Sequence, residues 1–240
     1  MPVRNFEPIN PSTDVTTTKT LLHEVIPVTG TIVSGTYGTF PNENNIKNYT
    51  HGQFQSVYDY PFLSSSANHI FDLSIGYAGD SHLSSSSAVQ NAKKINMYNQ
   101  FAQVLLGFTG SDNQIRKFES DLRLDGTGSM NEVFFLSLSR LLTKDEIKKG
   151  TFRITLGSGS WADPFAAAAS FTLGDYTSKI DGTGVTNADG GDFGVLYDST
   201  TASVGDGGYG AIFYQAGIVV LTSSLFNTGD YAGQFNQEGG

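Results

Sequence analysis

Residues 209–221 read YGAIFYQAGIVVL and contain the longest strongly apolar run of the chain. Two short apolar segments, Ala211–Tyr214 and Gly217–Leu221, stand on either side of Gln215 and Ala216. Short apolar runs rich in β-branched and aromatic side chains are typical of buried strands. The stretch therefore predicts two strands near the C-terminal end of the domain.

Further strands are predicted upstream of this stretch. Residues 134–139 (FFLSLS) and 152–156 (FRITL) repeat an apolar side chain at every second position. A period of two indicates a strand with one buried face. Residues 166–173, 194–197 and 21–33 also predict strands, and glycine and aspartate fill the gaps between them.

The composition supports a β-rich fold. The chain has 240 residues, among them 28 Gly, 17 Phe and 11 Tyr, and only 15% of its residues are charged. A disordered chain is rich in charge and poor in aromatic side chains, so this chain is expected to fold. Abundant Gly beside Ser and Thr indicates many turns rather than a helical bundle. We expect a β-rich α+β fold with a β-sandwich-like or mixed-sheet core and one main helix.

The main helix is predicted at about residues 88–107. Apolar side chains recur there at spacings of three and four, which places them on one helix face: Ala92, Ile95, Tyr98, Ala102 and Leu105. Residues 113–122 predict a weaker helix. Residues 143–146 (TKDE) have the spacing of a capping box and predict one to two helical turns that end near Gly150.

The first 20 residues predict an extended N-terminal arm, because three prolines interrupt regular backbone pairing there. Phe6, Ile9 and Val15 are isolated apolar side chains, too few to form a core. We therefore expect these three residues to be assembly contacts that dock on a neighbouring subunit.

Residues 21–226 predict a single β-rich domain with a long loop region at 34–68, and residues 227–240 predict a polar C-terminal tail. A loop of that length is uncommon in a compact domain and needs a surface to pack against. A neighbouring subunit is one candidate for that surface.

Charge and cysteine content exclude several function classes. The net charge is −9, from 23 acidic and 14 basic residues. Proteins that bind nucleic acid gather Lys and Arg on one face, so no nucleic-acid partner is expected. The absence of cysteine excludes disulfides and thiol nucleophiles. We expect no signal peptide, and the apolar run at 211–221 is too short for a membrane span, so no membrane partner is expected.

Four residues that could ligate a metal ion lie within 14 positions of the sequence: His69, Asp72, Asp80 and His82. The two histidines lack the i, i+4 spacing that places two imidazoles on one helix face. Ordinary hydrogen bonding is therefore the favoured interpretation.

Residues 79–82 (GDSH) resemble the start of a Gly-Asp-Ser hydrolase motif with Ser81 as nucleophile. A nucleophilic serine needs a histidine late in the chain as its base, and no histidine follows His82. A turn is the favoured interpretation.

The segment from Asp121 to Glu132 matches a calcium-binding loop at its first, fifth, sixth and twelfth positions. Arg123 stands where a ligand oxygen is required, and the residues after Glu132 predict a strand rather than a helix. A glycine-rich turn explains the same spacing. The Asp and Gly residues at 181–184 and 189–194 also suit turns. We expect no catalytic, metal or cofactor-binding residue and no small-molecule substrate.

Four segments together resemble a known protein family: FEPINPSTDVTTTKTLLHE (6–24), NAKKINMYNQFAQVLLGF (91–108), LTKDEIKKGTF (142–152) and YGAIFYQAGIVVLTSSLF (209–226). They are similar to virion structural proteins of contractile-tailed bacteriophages, notably those of marine cyanobacteria. The resemblance implies a tail or baseplate component that is part of the virion and contacts other virion proteins and copies of itself. It implies no catalytic residues.

Two alternatives stay open. A neck, collar or capsid-associated virion protein would show the same resemblance. A receptor- or carbohydrate-binding module is a third possibility, because the aromatic side chains at 37–60 and Trp161 offer stacking faces. The low charge and the aromatic content favour a subunit whose surface is covered by neighbours.

Overall fold

The computed structural model describes residues 44–85, 89–107, 109–110, 113–143, 145–157, 170–199 and 207–226. The predicted arm at 1–20, the strand at 21–33 and the tail at 227–240 lie outside these residues. Ten strands are present: β1 (Ile46–Asn48), β2 (Phe54–Tyr58), β3 (His69–Tyr77), β4 (Glu132–Leu138), β5 (Arg153–Gly157), β6 (Ser170–Gly174), β7 (Val185–Ala188), β8 (Gly191–Asp198), β9 (Gly210–Phe213) and β10 (Ile218–Thr222). The helices are α1 (Val89–Leu106) and α2 (Arg140–Thr143), with 3₁₀ turns at His82–Ser85 and Ser223–Phe226.

The strands form one antiparallel sheet in the order β1-β2-β3-β4-β10-β9-β8-β6-β5, and β7 pairs with β8 beside this path. The hairpin of β9 and β10 lies at the centre, with Ile218 opposite Phe213. The expected β-rich α+β fold with one main helix is confirmed, and α1 falls within the predicted range.

The first hydrophobic cluster lies between α1 and the sheet. Tyr98, Ala102 and Leu105 of α1 pack there with Phe135 of β4 and Phe213 of β9. Burial of side chains such as Leu105, Phe135 and Phe213 contributes about 1.5–3 kcal/mol each. This face of the sheet therefore holds the helix in place.

The second cluster covers the opposite face. Leu136, Ile212 and Val219 of the central strands are fully or almost fully buried there. Phe226 contacts Phe134 of β4 and Phe171 of β6, with ring centroids 5.3 and 6.3 Å apart. The 3₁₀ turn after β10 thus connects strands that lie well apart in the sheet.

The predicted loop region at 34–68 contains two strands, so that part of the prediction is wrong for the described residues. β1 and β2 form a hairpin, and β2 pairs with β3. Ser56 of β2 donates a hydrogen bond to Asp72 of β3 at 2.5 Å. A polar cross-strand pair of this kind stabilises the strands without producing apolar periodicity. β3 and β7 were also not predicted.

The weaker helix predicted at 113–122 is absent from the described part of that segment. Asn113 has a left-handed φ of 61°, and Glu119 forms an isolated antiparallel bridge with Ser129. Phe118 is buried in the first cluster, and its N–H donates to the Tyr98 hydroxyl at 3.0 Å. These long-range bonds hold the segment extended.

The helix of one to two turns predicted from Thr143 is absent from the described residues of that segment. A different short helix, α2, ends at Thr143 instead. α2 begins after Ser139, whose carbonyl accepts the N–H of Thr143 at 3.1 Å. Ile147 is buried in the second cluster, and its N–H donates to the Tyr214 carbonyl. Burial of Ile147 on the central hairpin favours an extended chain over a helix here.

None of the helices in the described part of the chain combines the length and the apolar character needed to cross a membrane.

Candidate functional site

The four residues of the hypothetical metal site do not converge. His69 Nε2 lies 2.9 Å from Asp72 Oδ1, whereas Asp80 pairs with Lys117 and His82 Nδ1 lies 3.3 Å from Glu132. The Lys117 ammonium lowers the pKa of Asp80 through its hydrogen bond. Within the described ranges no three His, Asp or Glu side chains are placed to share a metal ion.

Ser81 is tied into a structural contact. Its hydroxyl donates to the Glu132 carboxylate and accepts the N–H of Leu83 at 3.1 Å. The serine is almost fully buried. Glu132 contacts both Ser81 and His82, so the serine hydroxyl is paired with the carboxylate of Glu132 rather than with the imidazole of His82. This arrangement fixes the 3₁₀ turn to the first residue of β4.

The Asp121–Glu132 segment forms turns. Asp121 accepts the N–H of Arg123 at 2.9 Å, and Asp125 accepts both the N–H and the hydroxyl of Thr127. The Thr127 hydroxyl bond is the main cause of the lowered pKa of Asp125. The last acid of the segment, Glu132, is the first residue of β4, which begins two residues before the strand predicted at 134–139. Its carboxylate binds Ser81.

The other Asp-Gly segments are also turns. Asp181 accepts the N–H of Thr183 at 2.9 Å, and this bond lowers the pKa of Asp181. The turn between β7 and β8 meets the end of α1, since Gly190 donates to the Leu105 carbonyl at 3.0 Å. These glycines and acids therefore position elements of the fold.

A cavity of about 840 Å³ lies between α1 and the segment 110–129. The buried Glu119 is part of its wall, and its carboxylate accepts the N–H groups of Asp125 and Gly126 at 3.1 and 3.0 Å. Burial is the main cause of the raised pKa of Glu119. The Asp80–Lys117 ion pair belongs to the same wall. Glu119, Asp80 and Lys117 thus bind partners within the wall of the cavity.

A buried polar network, which sequence reasoning missed, joins β5, β6 and the central hairpin. Asp175 is 0% exposed and accepts hydrogen bonds from Gly150 N, Arg153 and the Tyr214 hydroxyl, at 2.6, 2.9 and 3.0 Å. Burial raises the pKa of Asp175, and burial next to that acid raises the pKa of Tyr214. The signal in the sequence was a single acid directly after an apolar strand, in the stretch FTLGDY.

A second ion pair supports this network. Lys149 lies 2.5 Å from Asp192 and also sits over the ring of Tyr214, 5.8 Å from its centroid. Arg153 stacks on Tyr176 at 3.9 Å. A buried charge is tolerated only when it is paired and hydrogen-bonded. The network therefore fastens the β5–β6 hairpin to the rest of the sheet.

Several large apolar side chains point into solvent. Leu141 of α2 is 90% exposed and Leu63 of the β2–β3 loop is 88% exposed, and others are Tyr60, Val89, Val104 and Ile180. Exposed apolar side chains become significant when they cluster, because clusters mark interaction surfaces. The predicted assembly contacts Phe6, Ile9 and Val15 lie outside the described residues.

Apart from Phe108 and Lys144, three of the segments that carry the bacteriophage resemblance fall within the described part of the chain. Their described residues form most of α1, most of the connection from α2 to β5, and the hairpin of β9 and β10. All three contribute to the two hydrophobic clusters. The segments that carry the resemblance therefore belong to the hydrophobic core rather than to a binding surface. Comparison of the chain with known protein families, with curated proteins and with solved structures finds no match.

Proposed function

We propose that this protein is a non-enzymatic structural component of a tailed bacteriophage virion, in the baseplate or the adjoining tail. It acts through contacts with other virion proteins and with copies of itself. The resemblance of four segments supports the virion assignment. The structural observation that carries the subunit-contact role is the outer edge of β5.

β5 is the last strand in the order of the sheet. All five of its residues, Arg153–Gly157, are in register with β6 on the inner side. No other strand of the described residues pairs with its outer side. The backbone N–H and C=O groups of such an edge accept a strand from another chain.

The described residues of β5 contain no proline, and their pairing with β6 shows no bulge. Proteins protect exposed edges with charged side chains, proline or bulges. The only charge on β5 is Arg153, which binds Asp175 and stacks on Tyr176. The remaining residues are uncharged: Ile154, Thr155, Leu156 and Gly157. This composition suits a permanent contact with a neighbouring subunit.

Thr155→Lys tests the role of this edge. Thr155 is exposed, and its hydroxyl lies 2.9 Å from that of Thr172 on β6. A lysine there places a charge where an added strand must pack. We expect incorporation into particles to fall about tenfold, which corresponds to about 1.4 kcal/mol. Quantitative mass spectrometry of purified particles measures incorporation.

Thr155→Val is the matched control, because it also removes the hydroxyl contact with Thr172 but adds no charge to the edge. Its incorporation is expected to equal that of the unchanged protein. The melting temperatures of both variants establish that they fold. Equal incorporation of the lysine and valine variants would contradict a role for this edge. Cryo-electron microscopy of the intact particle tests the virion assignment itself, and absence of the chain from the particle would refute it.

A further inference from the structure

One end of the sheet carries the two most exposed leucines of the described residues. Leu63 belongs to the loop that joins β2 to β3, and Leu141 belongs to α2, which follows β4. β3 and β4 are neighbours, with Phe71 opposite Leu138. The N–H of Ser139 donates to the carbonyl of Ile70 at 2.8 Å, so the loop and α2 leave the sheet side by side.

Internal hydrogen bonds hold this loop in a defined shape. Asn68 donates to the Asp59 carboxylate through its backbone and its side chain, at 2.6 and 2.9 Å. Ser64 donates to the Pro61 carbonyl at 2.7 Å, which forms a turn at the tip. The exposure of Leu63 and of the half-exposed Tyr60 is thus a property of an ordered loop. We name Tyr60, Leu63 and Leu141 the end patch.

The preceding chain enters the described structure at the base of the same loop. The N–H of Phe62 donates to the carbonyl of Asn44 at 3.0 Å. The side chain of Asn45 donates to the carbonyls of Tyr58 and Asp59, at 3.2 and 3.0 Å. Asn44, the first described residue, therefore lies beside Phe62, which precedes Leu63 in the chain.

The ten residues before Asn44 read SGTYGTFPNE and include Tyr37 and Phe40. Phe40 is four residues from Asn44, and four extended residues span about 14 Å. A segment tethered this close has a high effective concentration at the end patch, and closing so short a loop costs little entropy. The attachment favours this segment over an untethered second copy.

We propose that residues 34–43 of the same chain dock on the end patch, with the rings of Tyr37 and Phe40 covering Leu63 and Leu141. Burial of apolar surface drives this docking. Once docked, the segment determines where residues 1–33 leave the molecule. The inference is independent of the β5 edge, which lies at the opposite end of the strand order.

Cysteine pairs test the docking directly, because the chain has no cysteine of its own. The full-length protein is prepared with Phe40→Cys combined with either Leu63→Cys or Leu141→Cys. A disulfide requires Cα atoms about 4.4–6.8 Å apart. We expect at least one of these pairs to form a disulfide within the monomer under mild oxidation at high dilution.

The control combines Phe40→Cys with Ile180→Cys. Ile180 is also an exposed apolar residue, but it follows β6, and β3, β4, β10, β9 and β8 separate that strand from β2. Linkage of the control at the same rate as the test pairs, or no linkage in either test pair, would overturn the proposal. Linked dimers in place of linked monomers would also overturn it, because they identify a second copy as the occupant.

Amide hydrogen exchange gives a second measurement in the cysteine-free protein. Docking is expected to slow exchange at residues 34–43 at least about tenfold relative to a Leu63→Ser variant. The Ile180→Ser variant should exchange like the unchanged protein. Equal exchange rates in all three proteins would show that the end patch does not hold this segment.

Discussion

The hydroxyl of Tyr214 is a single group on which the buried polar network depends. It donates to the Asp175 carboxylate at 3.0 Å, and Asp175 has no solvent exposure. Burial and the neighbouring acid raise the pKa of Tyr214 above its usual value of 10.0. The hydroxyl therefore keeps its proton and stays a donor at neutral and mildly alkaline pH.

Tyr214→Phe removes this donor and leaves the shape of the side chain unchanged. We expect the free energy of unfolding to fall by about 1–3 kcal/mol, because a buried acceptor loses a partner. Tyr209→Phe removes the same hydroxyl from an exposed ring and should change the stability by less than about 0.5 kcal/mol. Urea unfolding measures both values. An equal effect of the two substitutions would show that the network adds no stability.

The packing of α1 on β3 depends on Gly76. A Cβ atom at this position would lie 2.8 Å from the Phe135 ring and 3.0 Å from the backbone nitrogen of Tyr98. Such distances are shorter than van der Waals contact, so α1 can approach β3 this closely only when residue 76 is glycine. Eleven residues of the sequence, 78–88, separate this strand from the helix that packs on it.

Gly76→Ala is therefore expected to destabilise the fold by about 1–3 kcal/mol, as overpacking of a core does. Gly79→Ala is the matched control, because its nearest neighbour would be the Ile95 side chain at 4.0 Å. The control should be neutral or slightly stabilising, since alanine restricts the unfolded chain. Thermal unfolding followed by circular dichroism compares the two variants. A shared melting temperature would contradict the close packing of α1 on β3.

Local sequence patterns predict some of these elements and not others. The spacing of Tyr98 and Leu105 identified α1, and the alternation at 134–138 identified β4, because burial of one face determines both patterns. β2 was missed, since bonds such as that from Ser56 to Asp72 join residues far apart in the chain. The helix predicted at 113–122 was wrong for the same reason. The bond from the Phe118 N–H to the Tyr98 hydroxyl helps to hold this segment extended, and a bond between residues so far apart in the chain produces no local sequence pattern.

The charge distribution of the whole molecule suits an assembled subunit. Few residues are charged, and ion pairs within the fold engage several of them, including Lys117 with Asp80 and Lys149 with Asp192. The surface presents exposed leucines and a strand edge whose single charge is that of Arg153. Interfaces of permanent complexes are apolar at their centres and poor in charge. These features support the proposed function together with the sequence resemblance.

The N-terminal arm is expected to serve assembly rather than stability. Both hydrophobic clusters of the described domain are formed by residues between Phe71 and Phe226. Deletion of residues 2–18 should therefore leave a soluble folded monomer whose stability changes by less than about 0.5 kcal/mol. Incorporation into particles should fall, because Phe6, Ile9 and Val15 are lost as anchors on a neighbouring subunit.

A full-length variant with serine at these three positions separates the anchors from the length of the arm. We expect it to be incorporated as poorly as the deletion variant, since the prolines that restrict the arm are retained but the apolar contacts are lost. Normal incorporation of both variants would mean that the arm makes no assembly contact. Failure of the deletion variant to fold would instead place residues 2–18 in the domain, because only a segment that stabilises the core is required for folding in isolation.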